Sequence, residues 1–107
     1  MITFITHLQV KPECGPALEK LLTHVREMTR EREPGVAYYD FGKSADEADT
    51  YVVVEVYRDQ AAHAAHMETR WVKDSVPVSR SLIKGKFDIK QYVSPGTEPA
   101  IRRLKET

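Results

Sequence analysis

From Ile2 to Val10 the chain alternates. Ile2, Phe4, Thr6, Leu8 and Val10 fall on one parity and Thr3, Ile5, His7 and Gln9 on the other. A period of two sends successive side chains to opposite faces, so this segment predicts a first strand. Lys11 to Pro16, with two prolines and a glycine, ends it. The period then changes. Leu18, Leu21, Leu22, Val25 and Met28 recur at helical spacing, while Glu19, Lys20, Arg26, Glu27, Arg30 and Glu31 form a solvated face. This predicts a helix running to about Glu33, where Pro34-Gly35 stops it. Val36 to Lys43 reads as a second strand and Thr50 to Arg58 as a third, joined by the polar stretch Ser44–Asp49. The third strand, almost continuously β-branched and aromatic, reads as buried on both faces. Asp59 is a good N-cap for a helix through Ala61, Ala62, Ala65 and His66. A second helical stretch is expected from about Glu68 to Leu82, with Pro77 in its first turn or kinking it. Lys86 to Val93 alternates again and closes the pattern as a fourth strand.

The order β-α-β-β-α-α-β is a ferredoxin-like α+β plan: a four-stranded antiparallel sheet, expected in the order 4-1-3-2, with helices on one face. The other sheet face carries its own apolar set and has nothing in the chain to cover it. A second copy packed sheet to sheet would cover it, so a homodimer is expected. The domain is read as residues 1–95. The tail, 96–107, is read as a frayed end or a short arm against a partner subunit.

Composition narrows the function classes. The chain has 107 residues, with 16 Lys plus Arg against 16 Asp plus Glu. That neutrality lacks the basic excess of a dedicated nucleic-acid binder. The longest apolar run, Tyr51–Val54, is far short of a membrane span, and the N-terminus does not read as a signal peptide, so a cytoplasmic location is expected. The single cysteine, Cys14, allows no internal disulfide and reads as a loop thiol. No Gly-rich phosphate loop occurs, and neither a cofactor nor a metal is expected.

Four segments carry a resemblance: Val10-Lys-Pro12, Arg32-Glu-Pro-Gly35, Tyr51-Val-Val-Val-Glu-Val-Tyr-Arg-Asp59 and Ala61-Ala-His-Ala-Ala-His66. In these the chain resembles the antibiotic biosynthesis monooxygenase-like proteins of the dimeric α+β barrel superfamily, over residues 1 to about 95. The resemblance implies a barrel formed by two copies. It also implies one of the family's activities: quinol or polyketide-quinone oxygenation, haem degradation, or isomerisation of an autoinducer-2 phosphate. Haem-degrading relatives use an Asn on strand one, and this chain has no Asn at all. The same absence removes the Asn that antibiotic-pathway oxygenases use beside an aromatic.

The resemblance places His66 where the family has a histidine facing a cavity between sheet and helices. An imidazole there can deprotonate a phenol or quinol. Glu55 interrupts the valines of a central strand, where an unpaired carboxylate is costly. His7, on the neighbouring strand, is its expected partner on the same sheet face, either in catalysis or in fixing register. Tyr39, Tyr57 and Trp71 are candidates for the wall of an aromatic-binding pocket. His63 and His66, three apart on one helix, lack a clear third ligand for a metal. The favoured function is a cofactor-independent monooxygenase acting on a small quinol or electron-rich aromatic. The alternatives are a small-metabolite isomerase and a non-enzymatic dimeric binding or structural domain.

Overall fold

The opening alternation becomes β1 (Ile2–Val10), with its even-numbered side chains buried and His7 and Gln9 exposed. A computed structural model describes residues 1–101. The remaining elements are α1 (Gly15–Arg32), β2 (Val36–Lys43), β3 (Thr50–Tyr57), α2 (Gln60–Glu68), α3 (Arg70–Leu82) and β4 (Ile83–Val93). The four strands are antiparallel in the order β2-β3-β1-β4, the expected 4-1-3-2 read from the other edge. All helices pack on one face, where Phe4, Leu8, Val53, Phe87 and Ile89 of the sheet meet Leu18, Leu22 and Val25 of α1 and Val72 of α3. No helix among the described residues is long and apolar enough to cross a membrane.

α1 begins on a proline in its first turn and ends with Arg30 and Arg32, cations favoured at the negative end of the helix dipole. Pro34 disfavours helical geometry in the residue before it, and Glu33 leaves the helix at φ −120°, ψ 87°. Gly35 follows because nothing larger fits: a Cβ there would lie 2.8 Å from Cβ of Ala62 on α2. The turn after α1 is thereby pressed against α2. It is also tied to the end of β3, where Arg58 donates its backbone N–H to Gly35 O and its Nε–H to Pro34 O.

Asp59 caps α2 as expected, its carboxylate accepting from Ala62 N at 2.8 Å. Thr69 serves both neighbouring helices. Its hydroxyl donates to His66 O at the end of α2 and accepts from Val72 N at the start of α3. That cap starts α3 at Arg70, so Pro77 lies in the helix interior, not in its first turn. Its ring is on the exposed side, where water can serve the Lys73 carbonyl that Pro77 cannot bond.

β4 begins at Ile83, three residues before the alternation becomes readable. The pairing of β4 with β1 shifts register between His7 and Gln9, and Gly85 takes φ +73°. Beyond β4 the chain folds back instead of fraying at once. Gln91 donates to Ala100 O and accepts from Ala100 N, and Ala100 is buried. The rest of the tail, residues 102–107, lies outside the described residues.

β3 is covered on one face only. Tyr51, Val53 and Tyr57 are buried under the helices, while Val52, Val54 and Val56 are half-buried on the opposite, open face. Ile5 lies on that face opposite Val54, and the exposed Tyr38 and Tyr92 are in register with Val56 and Thr3 there.

Candidate active site

Glu55 sits on β3 directly opposite Phe4 of β1 and Tyr39 of β2. The three therefore share one row on the helix-covered face. His7 pairs with Val52 and lies on the open face, exposed. The expected Glu55–His7 pair is thus overturned: adjacent strands bring the two residues close in sequence register, but an odd β1 position matches an even β3 position, so they point to opposite sides. Glu55 finds other partners. Tyr57, two residues along the same face, donates its hydroxyl to Glu55 Oε1, and His66 Nε2 lies 3.5 Å from that same oxygen.

His66 comes from the buried side of α2, which carries His63 and His66 above the sheet. Its Nδ1 is 3.0 and 3.1 Å from the two carboxylate oxygens of Glu33. An ionised carboxylate only accepts, so Nδ1 carries the proton and donates, leaving Nε2 directed toward Glu55. The indole N–H of Trp71 donates to Glu33 Oε2 at 2.8 Å. The result is a continuous polar chain, Trp71–Glu33–His66–Glu55–Tyr57, assembled from α3, the turn after α1, α2 and β3. The imidazole is boxed by the rings of Tyr57, 5.3 Å away, and Tyr39, 5.5 Å away. His63 stacks on Phe4 at 4.7 Å and meets the Tyr57 ring edge-on at 5.0 Å.

The two carboxylates are perturbed in opposite directions. Burial alone would push Glu33 up, but His66 and the Trp71 N–H together hold it below its ordinary value. Burial raises Glu55, the charge of Glu33 adds to that, and His66 and Tyr57 oppose it without cancelling it. Burial, reinforced by the nearby carboxylates, keeps the phenols of Tyr39 and Tyr57 well above their ordinary value, so both stay neutral. The site thus holds one carboxylate favoured in its charged form behind the imidazole and one that gives up its proton less readily than usual in front of it.

In front of this chain is a cavity of about 100 Å³ between sheet and helices. Glu55, His63, His66 and Tyr39 lie along it, and its walls are otherwise mostly apolar, with Phe4, Leu8, Val53, Phe87 and Ile89 from the sheet and Leu18, Leu22, Val25, Met67, Val72 and Val76 from the helices. Of the aromatic residues expected to line it, Tyr39 does so. Tyr57 and Trp71 stand behind the carboxylates and hold them in place. Among the described residues no three His, Cys, Asp or Glu side chains are grouped to hold a metal ion. Glu33 is the group the residue pattern did not single out. The signal was its place between a helix end and Pro-Gly, where a carboxylate has left the helix and can turn inward.

Fold and cavity together define a small α+β domain of a known kind. Residues 1–77 match the model of the antibiotic biosynthesis monooxygenase family, and the chain belongs to that family. It is 29% identical over 91 residues to the Bacillus subtilis (strain 168) protein named "Putative monooxygenase YcnE", covering 83% of this chain and 93% of that protein. Among solved structures it is similar to "Putative antibiotic biosynthesis monooxygenase from Nitrosomonas europaea", with a TM-score of 0.82 at 24% identity over 89% of this chain and 99% of the other. Rv0793 from Mycobacterium tuberculosis superposes with a TM-score of 0.79 at 25% identity, covering 91% and 96% of the two chains.

Proposed function

We propose that the protein is a cofactor-independent monooxygenase oxidising a small quinol or similarly electron-rich aromatic. The observation that carries this reading is the imidazole of His66, backed by the ionised Glu33 and aimed at one end of an otherwise apolar cavity. His66 Nε2 accepts the proton of a substrate hydroxyl, and Glu33 stabilises the imidazolium that forms. The electron-rich oxyanion then reduces dioxygen from solution. For a simple quinol, one oxygen atom enters the ring to give a hydroxyquinone and the other leaves as water with the two hydrogens removed. The mostly apolar walls leave the reactive anion few protein groups to solvate it. Oxygen uptake with a panel of quinols tests this. Uptake that His66→Ala abolishes supports the reading, and uptake unchanged by that substitution removes His66 from it.

A second reading rests on Glu55. A buried carboxyl 3.5 Å from an imidazole nitrogen is an acid–base pair, which can move a proton between two carbons of a small oxygenated metabolite without oxygen. Turnover under strict anaerobiosis would favour it.

We further propose that the working form is a homodimer. Ile5, Val52, Val54 and Val56, flanked by Tyr38 at 50% and Tyr92 at 57% exposure, present an apolar sheet face that a second copy would cover. Sedimentation on dilution tests this, and a monomer persisting at micromolar concentration contradicts it.

A further inference from the structure

We propose that the cavity selects an uncharged, single-ring phenol or quinol and rejects both anionic and fused polycyclic analogues. This rests on the oxygenase reading for the direction in which the hydroxyl points, but size and charge are properties of the cavity itself.

Size comes first. An apolar cavity of about 150 Å³ accommodates one benzene ring. The present cavity is about 100 Å³. Even one ring with a small substituent requires the walls to relax, and three fused rings would require these close-packed walls to part far further. Those walls are not loose ends. Val53, Leu8 and Phe87 come from three adjacent strands, β3, β1 and β4, and Leu18 and Val25 from the long helix α1, all of them buried.

Polarity fixes the orientation. Glu55, Phe4 and Tyr39 form one row across the sheet, and the next rows along the strands carry Thr6, Val53 and Ile89 and then Leu8. Rows two residues apart are separated by about 6.8 Å. The ionisable groups thus gather at one end. The Ser75 and Ser79 hydroxyls, which also line the cavity, already donate to carbonyls of their own helix, at Val72 O and Val76 O. A phenol satisfies this arrangement with its hydroxyl at Glu55 and His66 and its ring among the apolar rows.

Charge then excludes the acids. Among the described residues no lysine or arginine lines the cavity. Lys73 and Arg80 border a separate outer hollow, on the other side of Met67, Val72 and Val76, which the two hollows share. Lys73 is paired with Glu68 at 2.8 Å, and the Arg80 guanidinium lies over the outside of the Phe87 ring. A carboxylate or phosphate on the substrate would lose its hydration and find no lysine or arginine, and at the polar end it would meet His66 already flanked by the carboxyl groups of Glu33 and Glu55.

The test is a calorimetric titration of the wild-type protein at neutral pH with 4-hydroxybenzamide, its near-isostere 4-hydroxybenzoate, and 9-phenanthrol. The amide is expected to bind at least about tenfold more tightly than the acid, and phenanthrol more weakly than the amide despite its greater apolar surface. Equal affinity for amide and acid overturns the charge rule. Phenanthrol binding as tightly as the amide overturns the size rule, and failure to bind the amide at all overturns both. Ser75→Lys, which places a cation on the cavity wall, is expected to bring the acid level with the amide or above it. A folded Ser75→Lys protein with the wild-type preference overturns the charge rule, and the wild-type comparison stands alone if that variant does not fold. Oxygen uptake with hydroquinone is the separate readout: the expected binding pattern without oxygen consumption sinks the oxygenase reading and leaves this selectivity standing.

Discussion

Replacing Glu33 by Gln is the sharpest probe of the site, because it keeps the shape while removing the charge. In the wild-type protein the carboxylate accepts from two buried donors, His66 Nδ1–H and Trp71 Nε1–H, over distances of 2.8 to 3.1 Å. A hydrogen bond to a charged group contributes about 1.5–3 kcal/mol and a neutral one about 0.5–1.5 kcal/mol. Relief of the cost of burying the charge offsets part of the loss. The net destabilisation is expected at about 1–2 kcal/mol, which for a domain of this size lowers Tm by roughly 5–15 °C. The amide also brings an NH2 group that can donate to Nδ1, turning the imidazole to the tautomer whose Nε2 carries the proton. That tautomer cannot take a proton from substrate at Nε2, so oxygen uptake should fall at least about tenfold, equivalent to about 1.4 kcal/mol in the barrier. The pH dependence gives an independent check. Glu33 is held below its ordinary value of 4.5 in the folded protein. Its contribution is therefore complete above that value and is lost as pH falls through the lower folded one. Gln does not titrate, so the gap in Tm between wild type and variant should be full at neutral pH and close in acid. Thermal unfolding followed by circular dichroism across that range measures it. A variant as stable as wild type at pH 7, or a gap that widens in acid, would refute the account of Glu33.

Other outcomes follow from neighbouring contacts. Glu55→Gln should behave oppositely in stability. The folded protein favours the protonated carboxyl, so the wild type loses stability as pH rises from the ordinary value of 4.5 through the raised one, and Gln is spared that loss. The variant should be equal in acid and at least as stable at neutral pH, by no more than about 1 kcal/mol; a marked fall in Tm at pH 7 would contradict it. Gly35→Ala places a methyl group 2.8 Å from Ala62 Cβ and should cost about 1–3 kcal/mol, read as a lower Tm, with wild-type stability as the refuting result. Gln91→Ala removes both bonds that hold Ala100, and should expose the tail to limited proteolysis while the 1–93 region stays resistant. Unchanged cleavage kinetics would show that the clasp is not what restrains the tail.

Strands and helices were legible because their periods are long and clean. The parity of residues 2–10, the spacing of Leu18, Leu22 and Val25, and the cap at Asp59 each carry a local physical reason, and the sheet order follows from the order of elements. His66 and Glu55 were also visible, one from the family resemblance and one as an acid among valines. What a single strand cannot reveal is how its parity matches that of its neighbour. That depends on register, and it put His7 on the wrong side of the sheet. Glu33 was obscured for a related reason: at a helix end the helical period no longer says where a side chain points, and Pro34 decided it. The start of β4 was hidden because the bulge around Gly85 breaks alternation where the strand begins.

The polar chain has a consequence for how the site assembles. Its bonds span 33 residues from Glu33 to His66 and 38 from Glu33 to Trp71, and its members come from four separate parts of the chain. No helix or hairpin carries a portion of it that works alone. Such long-range contacts form only after the loops between them have closed, so the constellation should be among the last features to assemble. Recovery of the proposed oxygen uptake on refolding would then report completion of the whole architecture, while recovery of helical signal would report only its parts.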